Sequence, residues 1–147
     1  MKRIIKSIFS VLAHLTIARY KPRIIAVTGN VGKTSTKEAI YAVVNSKFFA
    51  RKSEKNYNNE LGVPLTIVGM SSAGKNVFGW IIRIIGACLK LVWCRYPHVL
   101  ILEMGVDKPR DMDHLLSIVK PDIAVFTAIG DVPVHVENFM NAQAVVR

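Results

Sequence analysis

Lys33 follows two glycines, Gly29 and Gly32, in the stretch "VTGNVGKTS", and two hydroxyl residues, Thr34 and Ser35, follow it directly. Those residue types in that order can hold a polyphosphate. Glycines let backbone N–H groups converge on an anion at a helix N-terminus, a lysine reaches the outer phosphates, and a hydroxyl serves magnesium. The implied ligand is ATP with Mg2+, held by Thr28, Gly29, Asn30, Val31, Gly32, Lys33, Thr34 and Ser35. The commonest spacing of such a loop would place another glycine where this chain has Val27. Two residues far away in sequence suit the same chemistry. Glu103 ends an apolar run and is placed to bind magnesium, directly or through water, as an acid on a second strand does in P-loop enzymes. His135, in "GDVPVHVE", follows another strand end. Alone it reads as a loop or core histidine, whereas beside a divalent ion and a carboxylate a ligand becomes an equal alternative. Thr34 and Glu103 are thus candidates for the metal and Lys33 for the phosphates, with His135 left open between a ligand and a loop histidine.

The elements that must position these residues follow from periodicity. "RIIAVTG" is a β-branched run ending in Gly29, as a buried parallel strand would. Helical spacing begins at Lys33, with Ala39, Ile40, Val43 and Val44 expected on one face. "KFFA" is a candidate second strand, followed by the polar "RKSEKNYNNE". "LGVPLTIVGM" predicts a short helix with Pro64 in its first turn. "HVLILEMG" is the strongest strand signal. Pro109 opens a helix through Leu115, Leu116 and Val119 that ends before Pro121. "DIAVFTAIG" is a further apolar strand. Strands alternating with helices predict an α/β fold, a P-loop-containing, doubly wound and mainly parallel sheet with its ligands at the carboxyl ends of the strands.

The chain has 147 residues, half of them (51%) hydrophobic, which suits one compact domain and excludes intrinsic disorder. Twenty Lys+Arg against ten Asp+Glu give a net charge of +10. The balance favours anionic partners (nucleotides, nucleic acid, phosphorylated intermediates or an acidic membrane surface) without choosing among them. Residues 1–20 have the outline of a secretory leader, but His14 interrupts the apolar run and no small-residue cleavage site follows. A basic amphipathic helix is the better reading, with Ile4, Ile5, Ile8, Phe9, Leu12 and Leu15 at helical spacing. Cys88 and Cys94 lack metal-ligand spacing and are expected to be buried free thiols in a reducing cytoplasm.

An apolar segment at about 74–96, "GKNVFGWIIRIIGACLKLVWCRY", interrupts the alternation. Asn76, Gly79, Arg83, Gly86 and Lys90 recur along it as one polar, small-residue stripe. Three readings stay open: a helix packed on the domain or a neighbour, an interfacial helix with Arg83 and Lys90 toward lipid headgroups, and a membrane span. Two central cations costing about 2.5–3.5 kcal/mol each disfavour the span.

The loop spacing is normal in one family. "VTGNVGKTSTKEA" resembles the T-G-x-x-G-K-T-S loop of the Mur ligases. "NYNNELGVPLTIV", "ILEMGVDKPRDMDHLLSIVKPDIAVFTAIG" and "HVENF" are similar to later segments of the branch that adds D-alanyl-D-alanine to a muramoyl tripeptide. The four motifs run in order across roughly residues 21–140. The Thr34-Ser35 pair leans away from the related folylpolyglutamate synthases. The resemblance implies a cytoplasmic, ATP-dependent ligase of peptidoglycan precursor synthesis. Its partners would be ATP, a UDP-muramoyl-peptide and D-alanyl-D-alanine, with no nucleic acid, and residues 1–20 or 74–96 could touch a membrane. It also implies that Asn58 and Asn59 lie near substrate and ATP, although a turn capping the next helix explains them nearly as well.

The family's sugar-nucleotide domain has no counterpart before the loop, and its carbamoylated lysine, adenine contacts and amine-binding domain would fall beyond Arg147. Residues 21–147 are therefore read as part of a central ATP-binding domain, with the expectation that this stretch alone binds ATP weakly if at all and does not turn over. Two other readings are a different P-loop NTPase or kinase, and a non-catalytic, membrane-associated nucleotide-binding module.

Overall fold

The computed structural model describes residues 2–54, 57–93, 95–105 and 110–128. Its elements are α1 (Lys2–Tyr20), β1 (Arg23–Thr28), α2 (Lys33–Asn45), β2 (Ala50–Lys52), α3 (Gly62–Val68), α4 (Val77–Val92), β3 (Val99–Glu103), α5 (Asp111–Ile118) and β4 (Ile123–Phe126). The four strands form one sheet in the order β2-β3-β1-β4, and every pairing is parallel. Parallel strands need crossovers, so helices must cover both faces. Helix α2 lies on one face, over Val27, Ala50, Val99 and Ile101. On the other face α1, α3, α4 and α5 pack around Ile24, Ala26, Leu100 and Leu102.

Strand β3 is buried at all five positions. Its two-residue period sends Leu100 and Leu102 to the four-helix side and puts Glu103, in step with Val99 and Ile101, on the α2 side. The acid at the strand end therefore faces the helix that starts at Lys33.

Helix α1 stops where Lys21 takes a left-handed φ of 46° and Pro22 follows. It packs through Ile5, Phe9, Leu12, Ala13 and Thr16, and it runs alongside α4. The Phe9 and Trp80 rings meet edge to face at 5.7 Å, and the Tyr20 hydroxyl donates to the carbonyl of Lys90 at 2.8 Å.

Four expectations change. Phe48 and Phe49 are exposed, and the second strand begins only at Ala50. The intervening residues turn the chain from α2 to the sheet, and Asn45 Oδ1 accepts the Ala50 N–H at 3.3 Å. On α2, Ala39 and Val43 point outward, and the inner face is Lys37, Ile40, Tyr41 and Val44. Cys88 is exposed, on the outer row of α4, and not buried; Cys94 lies outside the described residues. Arg83 and Lys90 turn inward. Arg83 Nε donates to the Ser71 carbonyl at 2.6 Å and Lys90 Nζ to the Gly69 carbonyl at 2.7 Å, so they tie α4 to the segment after α3. No described helix is long and apolar enough to cross a membrane.

Candidate functional site

Val27, the position that lacked a glycine, is fully buried inside β1 and pairs with Glu103. The loop proper starts two residues later. Gly29 has φ 130°, and a Cβ there would lie 2.2 Å from Thr127 Oγ1, so the chain can leave the strand there only as glycine. Gly32, with φ 85°, is the N-cap of α2, and no side chain caps that helix. Its first backbone N–H groups, which have no partner inside the helix, are left for an anion.

Lys33 Nζ bends back over the loop, donating to the carbonyls of Gly29 at 2.6 Å and Asn30 at 3.1 Å. The backbone N–H groups of Asn30 and Val31 donate to the Ala128 carbonyl at 3.1 and 3.3 Å, which fastens the loop to the end of β4. Asn30 Nδ2 is buried without a hydrogen-bond partner. A buried donor left unpaired costs about 1–3 kcal/mol, and an acceptor in the loop would remove that cost.

In the first turn of α2, Thr34 Oγ1 donates to Glu103 Oε2 at 3.1 Å, across 69 residues of sequence. The same carboxylate oxygen accepts from Lys37 Nζ at 3.3 Å. The Lys37 side chain is only 1% exposed. It also lies 3.7 Å from Glu38 Oε1, and Glu38 pairs in turn with Lys52. The Lys52 hydrogen bond, aided by the charges of Lys52 and Lys37, holds the Glu38 carboxyl below its ordinary range. Ser53, itself buried, fixes the end of β3: its N–H donates to the Ile101 carbonyl at 2.9 Å and its hydroxyl accepts the Glu103 N–H at 3.0 Å.

The structure thus brings Thr28 to Ser35 and Glu103 together. His135 lies outside the described residues. Asn58 and Asn59 sit beyond the β3 end: the Asn58 carbonyl accepts the Gly105 N–H at 2.8 Å, while Asn59 Oδ1 accepts the N–H groups of Leu61 and Gly62 at 3.1 and 3.0 Å and caps α3. A cleft of about 670 Å³ opens beside Asn59, where α1, α5 and the segment before α4 meet, and both signs of charge line it: Lys2, Lys6, Glu60, Lys75 and Asp111.

The sequence pattern of the Mur ligase middle domain matches residues 27–78, from β1 to the first turn of α4. The UDP-N-acetylmuramoyl-tripeptide--D-alanyl-D-alanine ligase of Bacillus subtilis is 31% identical over 120 residues, 82% of this chain and 21% of that protein. Residues 27–78 are thus similar to the Mur ligase middle domain. The corresponding ligase of Borreliella burgdorferi is 29% identical over 134 residues, 91% of this chain and 24% of its own. The present chain therefore spans about a fifth to a quarter of the curated relatives it matches. Among solved structures, the MurF ligase of Thermotoga maritima in complex with ADP superposes with a TM-score of 0.71 at 28% identity, over 96% of this chain and 27% of that one. MurF of Acinetobacter baumannii shares the fold, with a TM-score of 0.69 at 22% identity over 94% of this chain and 25% of its own.

Two residues of this site were not marked by the sequence, Lys37 and Ser53. Lys37 was detectable in principle, because Thr34 and Lys37 are three apart on a helix and so share the face toward Glu103. Nothing local marks Ser53; its role depends on the pairing of β2 with β3.

Proposed function

We propose that this chain is part of an ATP-dependent ligase that adds D-alanyl-D-alanine to a UDP-linked muramoyl tripeptide, working in the cytoplasm where its ATP is found. The observation that carries the reading is the Thr34–Glu103 contact at the mouth of an uncapped helix N-terminus that begins with Lys33. The unpaired Asn30 amide and the left-handed Gly32 suit a bound phosphate chain. A hydroxyl and a carboxylate are hard oxygen donors, suited to a magnesium ion that keeps most of its other ligands as water and phosphate oxygens. Thr34 and Glu103 would hold that ion, with His135 as a third ligand, and the ion would neutralise charge on the transferring phosphoryl group.

In the proposed reaction a substrate carboxylate oxygen attacks the γ-phosphorus and the bond to ADP breaks, giving an acyl phosphate. The dipeptide amine then attacks the acyl carbon, forms the amide and expels phosphate with loss of a proton. Lys33 has only to exchange the Gly29 and Asn30 carbonyls for phosphate oxygens, where its charge offsets the charge that develops. The mixed-charge cleft beside Asn59, lined by Lys2 and Lys75 together with Glu60 and Asp111, offers room nearby for a polar substrate.

Calorimetric titration of the protein at its full natural length with ADP and magnesium tests the nucleotide part. Binding should be measurable for the wild type, lost for Lys33→Ala, and weakened by Glu103→Gln only when magnesium is present. Equal binding by wild type and Lys33→Ala would sink it. Phosphate release that requires both the tripeptide substrate and D-alanyl-D-alanine, from the chain at its full natural length, tests the ligase part. Phosphate release that is indifferent to both would favour a different P-loop NTPase.

A further inference from the structure

Helix α4 presents a face that the nucleotide site does not use. Val77, Phe78, Ile81, Ile82, Ile85, Leu89 and Val92 are all exposed, and Trp93, at its end, is 86% exposed. Most of them fall at the spacings of one helical face. No charged side chain interrupts that face, because Arg83 and Lys90 bond inward to the carbonyls of Ser71 and Gly69. Alongside, α1 adds exposed Ile4, Val11 and Leu15, seven and four residues apart and so on one stripe. A soluble surface rarely leaves so much contiguous apolar area without an interaction partner.

The surrounding charge identifies the partner. Residues 1–37 and 61–102 contain no Asp or Glu. Exposed Lys2 and Arg3 start α1, and Lys75 precedes α4. Arg19 and Lys21 lie at the other end, where Arg19 Nη2 donates to the Val92 carbonyl at 3.2 Å. Cations therefore bracket the apolar face at both ends of the helix pair. A 16-residue helix is too short to span a bilayer, which takes about 20 residues. An apolar helix face flanked by cations, with a tryptophan at its end, suits burial at the boundary between headgroups and acyl chains. We propose that the α4 face and the adjoining α1 stripe dock on an anionic lipid bilayer. The proposal does not depend on the ligase reading.

Flotation of the chain with phosphatidylglycerol-containing vesicles, against pure phosphatidylcholine vesicles, tests it. Binding should favour the anionic vesicles by about tenfold or more and weaken with salt. Trp93 emission should shift to the blue on binding, and the shift should vanish in Trp93→Phe, which keeps the buried Trp80. The double variant Ile82→Asp/Ile85→Asp should lose about tenfold or more in vesicle affinity with its circular dichroism unchanged, since both side chains are about half exposed. Absence of vesicle binding by the wild type, or equal binding by the double variant, would overturn the proposal. So would light scattering that shows a dimer which the double variant dissociates and vesicles leave intact; the face would then belong to a second copy.

Discussion

At the scale of single residues, Lys37 carries the most consequence. Taking an ammonium out of water is costly, and Glu103 with Glu38 nearby is what makes it tolerable. Removing one partner leaves the other charge buried and unpaired, so Lys37→Met should lower stability by about 3–5 kcal/mol. The double variant Lys37→Met/Glu103→Gln should recover much of the loss. Urea denaturation of the four proteins of that cycle gives the coupling directly. Glu38 gives a pH-dependent counterpart. Its carboxyl is depressed by the Lys52 hydrogen bond, so the stability it contributes is present above the ordinary 4.5 and is lost as pH falls through its lower folded value. The pair is exposed, so the stability difference between wild type and Glu38→Gln should stay below about 1 kcal/mol at pH 7. That difference should shrink once the pH drops below 4.5; a difference that grows in acid would contradict the assignment.

At the scale of elements, glycines at two helix starts resist substitution for different reasons. A Cβ on Gly62 would lie 2.3 Å from the Tyr57 Cα and 2.7 Å from its carbonyl carbon, backbone atoms that cannot step aside. Gly62→Ala should therefore unseat α3 and cost at least about 1–3 kcal/mol. Gly32 faces open space, so Gly32→Ala should cost only the strain of a left-handed residue, about 1–2 kcal/mol. Thermal melts of the two variants make the comparison. These local constraints explain what the sequence disclosed. The strand–glycine–lysine–helix order around Gly29 and the unbroken apolar run of β3 leave few alternatives, and both stand where they were expected. The displaced β2 depended on where a strand from residues 50–52 meets one from 99–101, a register that no neighbouring residue encodes. Phe48 and Phe49 have strand-like composition but fall in the turn. Lys37 drew no notice in the sequence because its partner is 66 residues away, and Cys88 read as buried because the outer face of α4 is as apolar as a core.

At the scale of the whole molecule, a surplus of +10 should attract any polyphosphate before contact is made. Raising NaCl from about 0.1 to about 1 M shortens the screening length from about 10 to about 3 Å, and the affinity for ADP with magnesium should fall several-fold in calorimetry. An affinity indifferent to salt would mean that only the buried, directly contacting groups matter. The order β2-β3-β1-β4 also has a consequence in time. The first strand made sits in the interior of the sheet, and both of its neighbours come from far later in the chain. Roughly 70 residues separate the end of β1 from the start of β3, so at about 5–20 residues per second a ribosome leaves β1 without its partner for about 4–14 s. Throughout that interval Ile24, Ile25, Ala26 and Val27 form an open edge on a nascent chain. The strand that launches the phosphate loop is thus also the segment most in need of a chaperone during synthesis.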